Sequence, residues 1–153
     1  MNREAVSQLF FDEGYVVPAG LCAQRLFREM PQGAALAHRL IDVMATSWLI
    51  ATLESACVRE LQPYVDPVTQ AVVLAEVTCR HRGPAPAGLR LRLVGWVERM
   101  GESDVSFFVH AQDETETVCD GSIRLAIVRR VEIERVLERK RVAVARAALF
   151  AAA

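Results

Sequence analysis

The chain has 153 residues, 52% of them hydrophobic, and 18 lysines and arginines against 19 aspartates and glutamates leave a formal charge of -1. That length fits a single domain, read as spanning 1–153, with a sizeable core. The near-neutral balance argues against nucleic acid or an anionic membrane as a partner, and no apolar run approaches the ~20 residues of a membrane-crossing helix. Met1–Gly14 has no apolar core segment followed by small residues, so no secretory signal is read there. Cys22, Cys57, Cys79 and Cys119 form no C-x-x-C pair and mostly sit in apolar surroundings. They read as reduced thiols, which places the protein in a reducing cytoplasm.

After a polar lead, Tyr15–Val17 is a short β-prone run stopped by Pro18, read as a first strand at which a core of about 15–129 begins. Residues 22–40 are irregular, either a short helix or a flap, with a break at Pro31–Gly33. Ala45–Leu61 then gives the longest helical pattern of the chain. Leu49, Ile50, Leu53, Ala56, Cys57 and Leu61 recur at spacings of three and four, which makes one face continuously apolar. Thr46 or Ser47 supplies a hydroxyl suited to capping its start, and Gln62-Pro63 ends it. Glu54 sits beside the apolar face among Ile50, Leu53, Cys57 and Val58. Eight residues separate it from Thr46, which aligns the two along one rim.

Beyond Thr69 the pattern changes from a period of 3.6 to one of 2. Val73, Ala75, Val77, Cys79 and His81 are expected on one side of a strand, opposite Val72, Leu74, Glu76, Thr78 and Arg80. Further strands run from Leu89 to Glu98, from Val105 to Gln112 and from Val118 to Val128, joined by short turns. An antiparallel meander with one covered face follows, and the long helix is the earlier element able to cover it. Glu132–Ala153 reads as a final helix, centred on about 131–150, with a basic, solvated face.

The strand–helix–four-strand order, an α+β arrangement with the helix along a concave antiparallel sheet, resembles the hotdog fold. Two blocks carry a closer likeness: V-M-A-T-S-W-L-I-A-T-L-E-S-A-C (Val43–Cys57) and V-x-x-R-H-R-G-P-A-P-A-G (Val77–Gly88). They resemble the thioesterase group typified by fluoroacetyl-CoA thioesterase. The resemblance implies a catalytic set of Thr46, Glu54 and His81, an acyl-CoA substrate and a homodimer with its sites near the interface. It implies no cofactor, coenzyme A being part of the substrate. Two departures bear on acyl specificity: Leu74 stands where the group usually has glycine, and Gly121–Leu125 reads G-S-I-R-L where it often has G-x-H-x-R.

The chemistry agrees with that set. Thioester hydrolysis requires an attacking carboxylate or water, donors for the oxyanion and an acid for the leaving thiolate. Glu54 is expected as nucleophile or base, His81 as its partner and later acid, and Thr46 as a positioning hydroxyl at the helix start. Taken singly each has a plainer role, as helix cap, surface acid and strand-end histidine; the coincidence of all three favours a site, with His81 expected to reach Glu54. A non-catalytic acyl-CoA-binding module is the alternative, with an enoyl thioester hydratase behind it. His38 and Asp42 lack a third ligand for a metal, and His110 lies on the polar strand face. Arg80, Arg82, Arg90 and Arg92 suit coenzyme A phosphates, although a charged outer sheet face is the favoured reading of them. Phosphate-loop, dinucleotide and G-x-S-x-G motifs are absent.

Overall fold

A computed structural model describes residues 2–151. The elements are α1 (Arg3–Ser7), β1 (Phe10–Val16), α2 (Ala23–Glu29), α3 (Thr46–Leu61), β2 (Gln70–His81), β3 (Arg90–Met100), β4 (Asp104–Gln112), β5 (Thr117–Arg129) and α4 (Arg130–Ala151). Single 3-10 turns lie at Ala37–Arg39 and Gln62–Tyr64, the second built around Pro63 just where α3 stops. All five strands form one antiparallel sheet in the order β1-β3-β4-β5-β2, so β1 and β2 are its edges.

The alternation in β3, β4 and β5 sets the sheet's inner face. Leu91, Leu93, Val105, Phe107, Val109, Ala111, Ile123 and Leu125 are buried there, and α3 lays Leu49, Leu53, Ala56, Cys57 and Leu61 against the same core. Burial of such side chains is worth roughly 1.5–3 kcal/mol each, which makes this helix-on-sheet contact the main source of stability. Gly121 is required where β5 meets β2, because a Cβ there would run into the backbone carbonyl of Thr78.

Three elements differ from the sequence reading. β1 begins at Phe10, five residues earlier than expected, with Phe11 buried against β3 and Asp12, Glu13 and Gly14 along the open edge. Short charged edge strands carry little hydrophobic periodicity, which hid the first half of this one. The polar lead contains α1, capped by the Asn2 side chain and anchored by the buried Val6. In β2 a bulge at Ala75 breaks the register with β5 between Leu74 and Glu76. Strict alternation therefore holds for Val77, Cys79 and His81 but is inverted before the bulge. Val72 and Leu74, paired with Ile127 and Leu125, take the inner side there, and Val73 the outer.

α4 leaves directly from β5. Val131, Ile133, Leu137, Val142 and Val144 are all exposed along it. Among the described residues no helix is long and apolar enough to cross a membrane, and no group of three or more His, Cys, Asp or Glu side chains is placed to hold a metal.

Candidate active site

The start of α3 is fixed from outside the helix. Met44 N–H donates to the Ala85 carbonyl and Ala45 N–H to that of Leu21, which pins the segment between the loop after β2 and the chain before α2. Thr46 is consequently the first helical residue, and Ala45, with no side chain able to cap, occupies the N-cap. The expected cap is therefore missing, because the Thr46 hydroxyl is engaged elsewhere: Oγ1 lies 2.7 Å from Nδ1 of His81. The backbone N–H groups of Thr46 and Ser47 find no acceptor among the described residues. An uncapped helix start carries partial positive charge and free donors, a suitable place for a developing oxyanion.

His81 closes β2 opposite Cys119 on β5 and faces inward, as its parity with Val77 and Cys79 requires. Its Nε2 is buried and without a hydrogen-bond partner among the described residues. A buried orphan nitrogen is unfavourable in a purely structural histidine and calls for a functional account.

Glu54 is not part of this cluster within one chain. Eight residues of helix place it ~12 Å beyond Thr46 along the axis and ~80° around it, so the two do not share a rim as closely as their spacing suggested. It is half-buried and has neither a hydrogen bond nor an ion pair among the described residues. The His81–Glu54 contact expected from the sequence is replaced by His81–Thr46. Glu54 nevertheless has a defined direction. Arg59 pairs with Glu13 at 2.6 Å, which turns its flank of α3 towards β1; Glu54, ~140° away around the helix, points to the opposite flank, over the open edge at β2. Burial pushes the thiol of neighbouring Cys57 up to about 12, and the carboxylates of Glu54 and Glu60 add to the effect.

Most of the arginines considered for phosphate binding are already engaged. Arg82 pairs with Asp120, whose carboxyl is held below its ordinary range by that guanidinium, and Arg80 lies 3.8 Å from the same carboxylate. Arg92 makes a two-pronged contact with Asp12 at 2.7 and 2.5 Å. Arg90 lines a shallow depression with Asp113 and Glu114, surroundings hostile to a phosphate. His110 faces outward and meets the Thr117 hydroxyl at 3.1 Å. A concavity of about 410 Å³ lies on the outer sheet face among Glu76, Thr78, Glu98, Arg99, Ser106, Ser122 and Arg124, and none of Thr46, Glu54 or His81 borders it.

An antiparallel sheet wrapped on one long helix defines a hotdog fold, here with a hydroxyl–imidazole pair at the helix start. Comparison with solved structures agrees on the fold. The chain superposes on the fluoroacetyl-CoA thioesterase FlK with a TM-score of 0.76 at 22% identity, over 87% of this chain and 95% of that one. A hot-dog-like protein from Thermanaerovibrio acidaminovorans gives 0.73 at 19%, over 91% and 97%. In sequence, the fluoroacetyl-CoA thioesterase of Streptantibioticus cattleyicolor is 25% identical over 118 residues, 77% of this chain and 81% of that enzyme. The model of the FlK family, fluoroacetyl-CoA-specific thioesterase, matches residues 29–131, and the chain belongs to this family. It is thereby a thioester hydrolase.

Proposed function

We propose that the protein hydrolyses a small or medium acyl-CoA to the free acid and coenzyme A, at a site made by Thr46 and His81 of one copy and Glu54 of a second. The observation that carries this reading is the 2.7 Å Thr46–His81 contact at an uncapped helix start. The thioester carbonyl would lie at the free N–H groups of Thr46 and Ser47, where negative charge on its oxygen is stabilised. Thr46 holds the imidazole in one orientation and positions the acyl group. Glu54 supplies the carboxylate, either attacking the carbonyl to form an anhydride or taking a proton from the attacking water. His81 returns a proton to the leaving thiolate. Water is the sole co-reactant, so no cofactor is invoked.

The direction of Glu54 supports a homodimer. Glu54 faces the unpaired side of β2, and within its own chain it lies two helical turns from the pair it would serve. A two-fold copy across that edge runs its helix antiparallel to the first, so each Glu54 approaches the partner's Thr46 and His81. Four free cysteines, two of them buried, suit a reducing cytoplasm.

Thiol release across a panel of acyl-CoA esters tests the site. Hydrolysis by the native chain, with a loss of at least ~10²-fold in both Glu54→Gln and His81→Ala, supports it. Turnover unchanged in both variants overturns it.

A further inference from the structure

Two thiols that the chemistry above does not use meet beside His81. Cys79 faces inward two residues before it on β2, and Cys119 stands directly opposite it on β5. Their sulfurs lie 3.2 Å apart. The residue opposite Cys79 is Gly121, which has no side chain, so the space across the ladder is open and the sulfur leans diagonally towards Cys119. The same glycine lets the strands approach closely: an added Cβ would come within 3.1 Å of the Cys79 Cα as well as striking Thr78. The other two thiols lie on other elements, Cys22 at the N-cap of α2 and Cys57 within α3.

The two differ in access. Cys119 is fully buried, and burial pushes its thiol upwards, so it stays protonated; Cys79 is half-buried on the edge strand. One thiol is thus open to a reagent little larger than water, and the other waits beside it to resolve the product. We propose that Cys79 and Cys119 form a reversible disulfide when a small hydroperoxide reaches Cys79, and that this bond turns the site off by displacing His81. The Cys79 thiolate attacks the peroxide, the O–O bond breaks, and one oxygen leaves as water, giving a sulfenic acid. The Cys119 sulfur then attacks the Cys79 sulfur; the S–S bond forms, the S–O bond breaks, and the hydroxyl leaves with the Cys119 proton as a second water. Two thiols lose two electrons and one peroxide gains them. Exchange with external thiols reverses the reaction. Bond formation draws the sulfurs together by ~1 Å, moving the side chain that faces the imidazole from β5. Misplacement of that size costs a catalytic group about 10²-fold. The effect on turnover rests on the role proposed for His81; the disulfide does not.

The full-length chain, reduced, treated with hydrogen peroxide and then freed of it, tests both halves. Digestion without reductant is expected to yield a Cys79–Cys119 linked peptide, with two of the four thiols lost. Over the same treatment kcat/KM for acyl-CoA hydrolysis should fall at least ~10-fold and return with dithiothreitol. Cys79→Ser and Cys79→Ala should form no link and each stay within about twofold of its own untreated rate, while Cys22→Ser should respond as the native chain does. Absence of the linked peptide, or sulfinic acid at Cys79 in its place, overturns the pair. A fully linked chain within about twofold of the reduced rate overturns the effect on His81. The imidazole resonance of His81, assigned by its loss in His81→Ala, keeps this separate from the catalytic reading. A chain that hydrolyses no acyl-CoA yet forms the link and shifts that resonance supports the disulfide and its action on His81, and rejects the function proposed for the site; a resonance unmoved in the linked chain overturns that action.

Discussion

Replacing Thr46 by valine separates the hydroxyl from everything else the residue does. Valine keeps the β-branched shape and nearly the same helix propensity, and no cap is lost because Ala45 occupies that position. The fold loses one hydrogen bond between exposed Thr46 and half-buried His81, worth about 0.5–1.5 kcal/mol. At roughly 2–4 °C per kcal/mol for a chain of this size, Tm falls by only a few degrees. The chemistry loses more. His81 is left with neither ring nitrogen partnered, since Nε2 already lacks one, and a mispositioned acid–base group forfeits about 10²–10⁴ in rate, or ~2.7–5.4 kcal/mol of barrier. Paired measurements of kcat/KM by thiol release and of thermal unfolding test this. Thr46→Ser, which restores the oxygen, should lie within about tenfold of native. A Thr46→Val enzyme within about threefold of native, or one whose loss tracks its unfolding, refutes the assigned role of the hydroxyl.

Two further predictions concern the scaffold. Gly121→Ala drives a Cβ into the Thr78 carbonyl between two hydrogen-bonded strands, a clash costing ~1–3 kcal/mol or more; calorimetry should show Tm lower by several degrees, and an unchanged Tm would mean that β2 and β5 lie further apart. In the β4–β5 turn, Asp113 accepts the N–H groups of Thr115 and Glu116 and the Thr115 hydroxyl, which holds its carboxyl below the ordinary 3.8. A depressed carboxylate stabilises above its unfolded value and loses that contribution as pH falls through its folded one. The Tm difference between native and Asp113→Asn, positive at neutral pH, should therefore shrink towards zero in acid. A pH-independent difference would assign the turn's stability to hydrogen bonds alone.

The hotdog arrangement was legible because its long elements announce their periods: α3 at 3.6 and β3, β4 and β5 at 2, with Leu93, Phe107 and Leu125 all buried as that alternation requires. The inner placement of His81 followed from the same parity. What escaped depends on tertiary geometry. The bulge at Ala75 leaves no mark in the sequence V-V-L-A-E-V and flips every side chain before it. Thr46 read as a cap because nothing local reveals that its hydroxyl reaches across 35 residues to an imidazole. The separation of Glu54 from His81 was hidden for a related reason: helix spacing gives position along an axis, but which neighbour lies beyond the flank depends on how the sheet ends. The Arg59–Glu13 pair reveals this, and it links residues 46 positions apart.

Purified heterodimers of two inactive chains put the shared site to its most direct test. A dimer of Glu54→Gln with His81→Ala retains one complete set, His81 from the first chain and Glu54 from the second. It should hydrolyse acyl-CoA at about half the native rate, while each variant homodimer is nearly inert. A heterodimer as inactive as its parents would show that both groups act from the same chain and would contradict the split site.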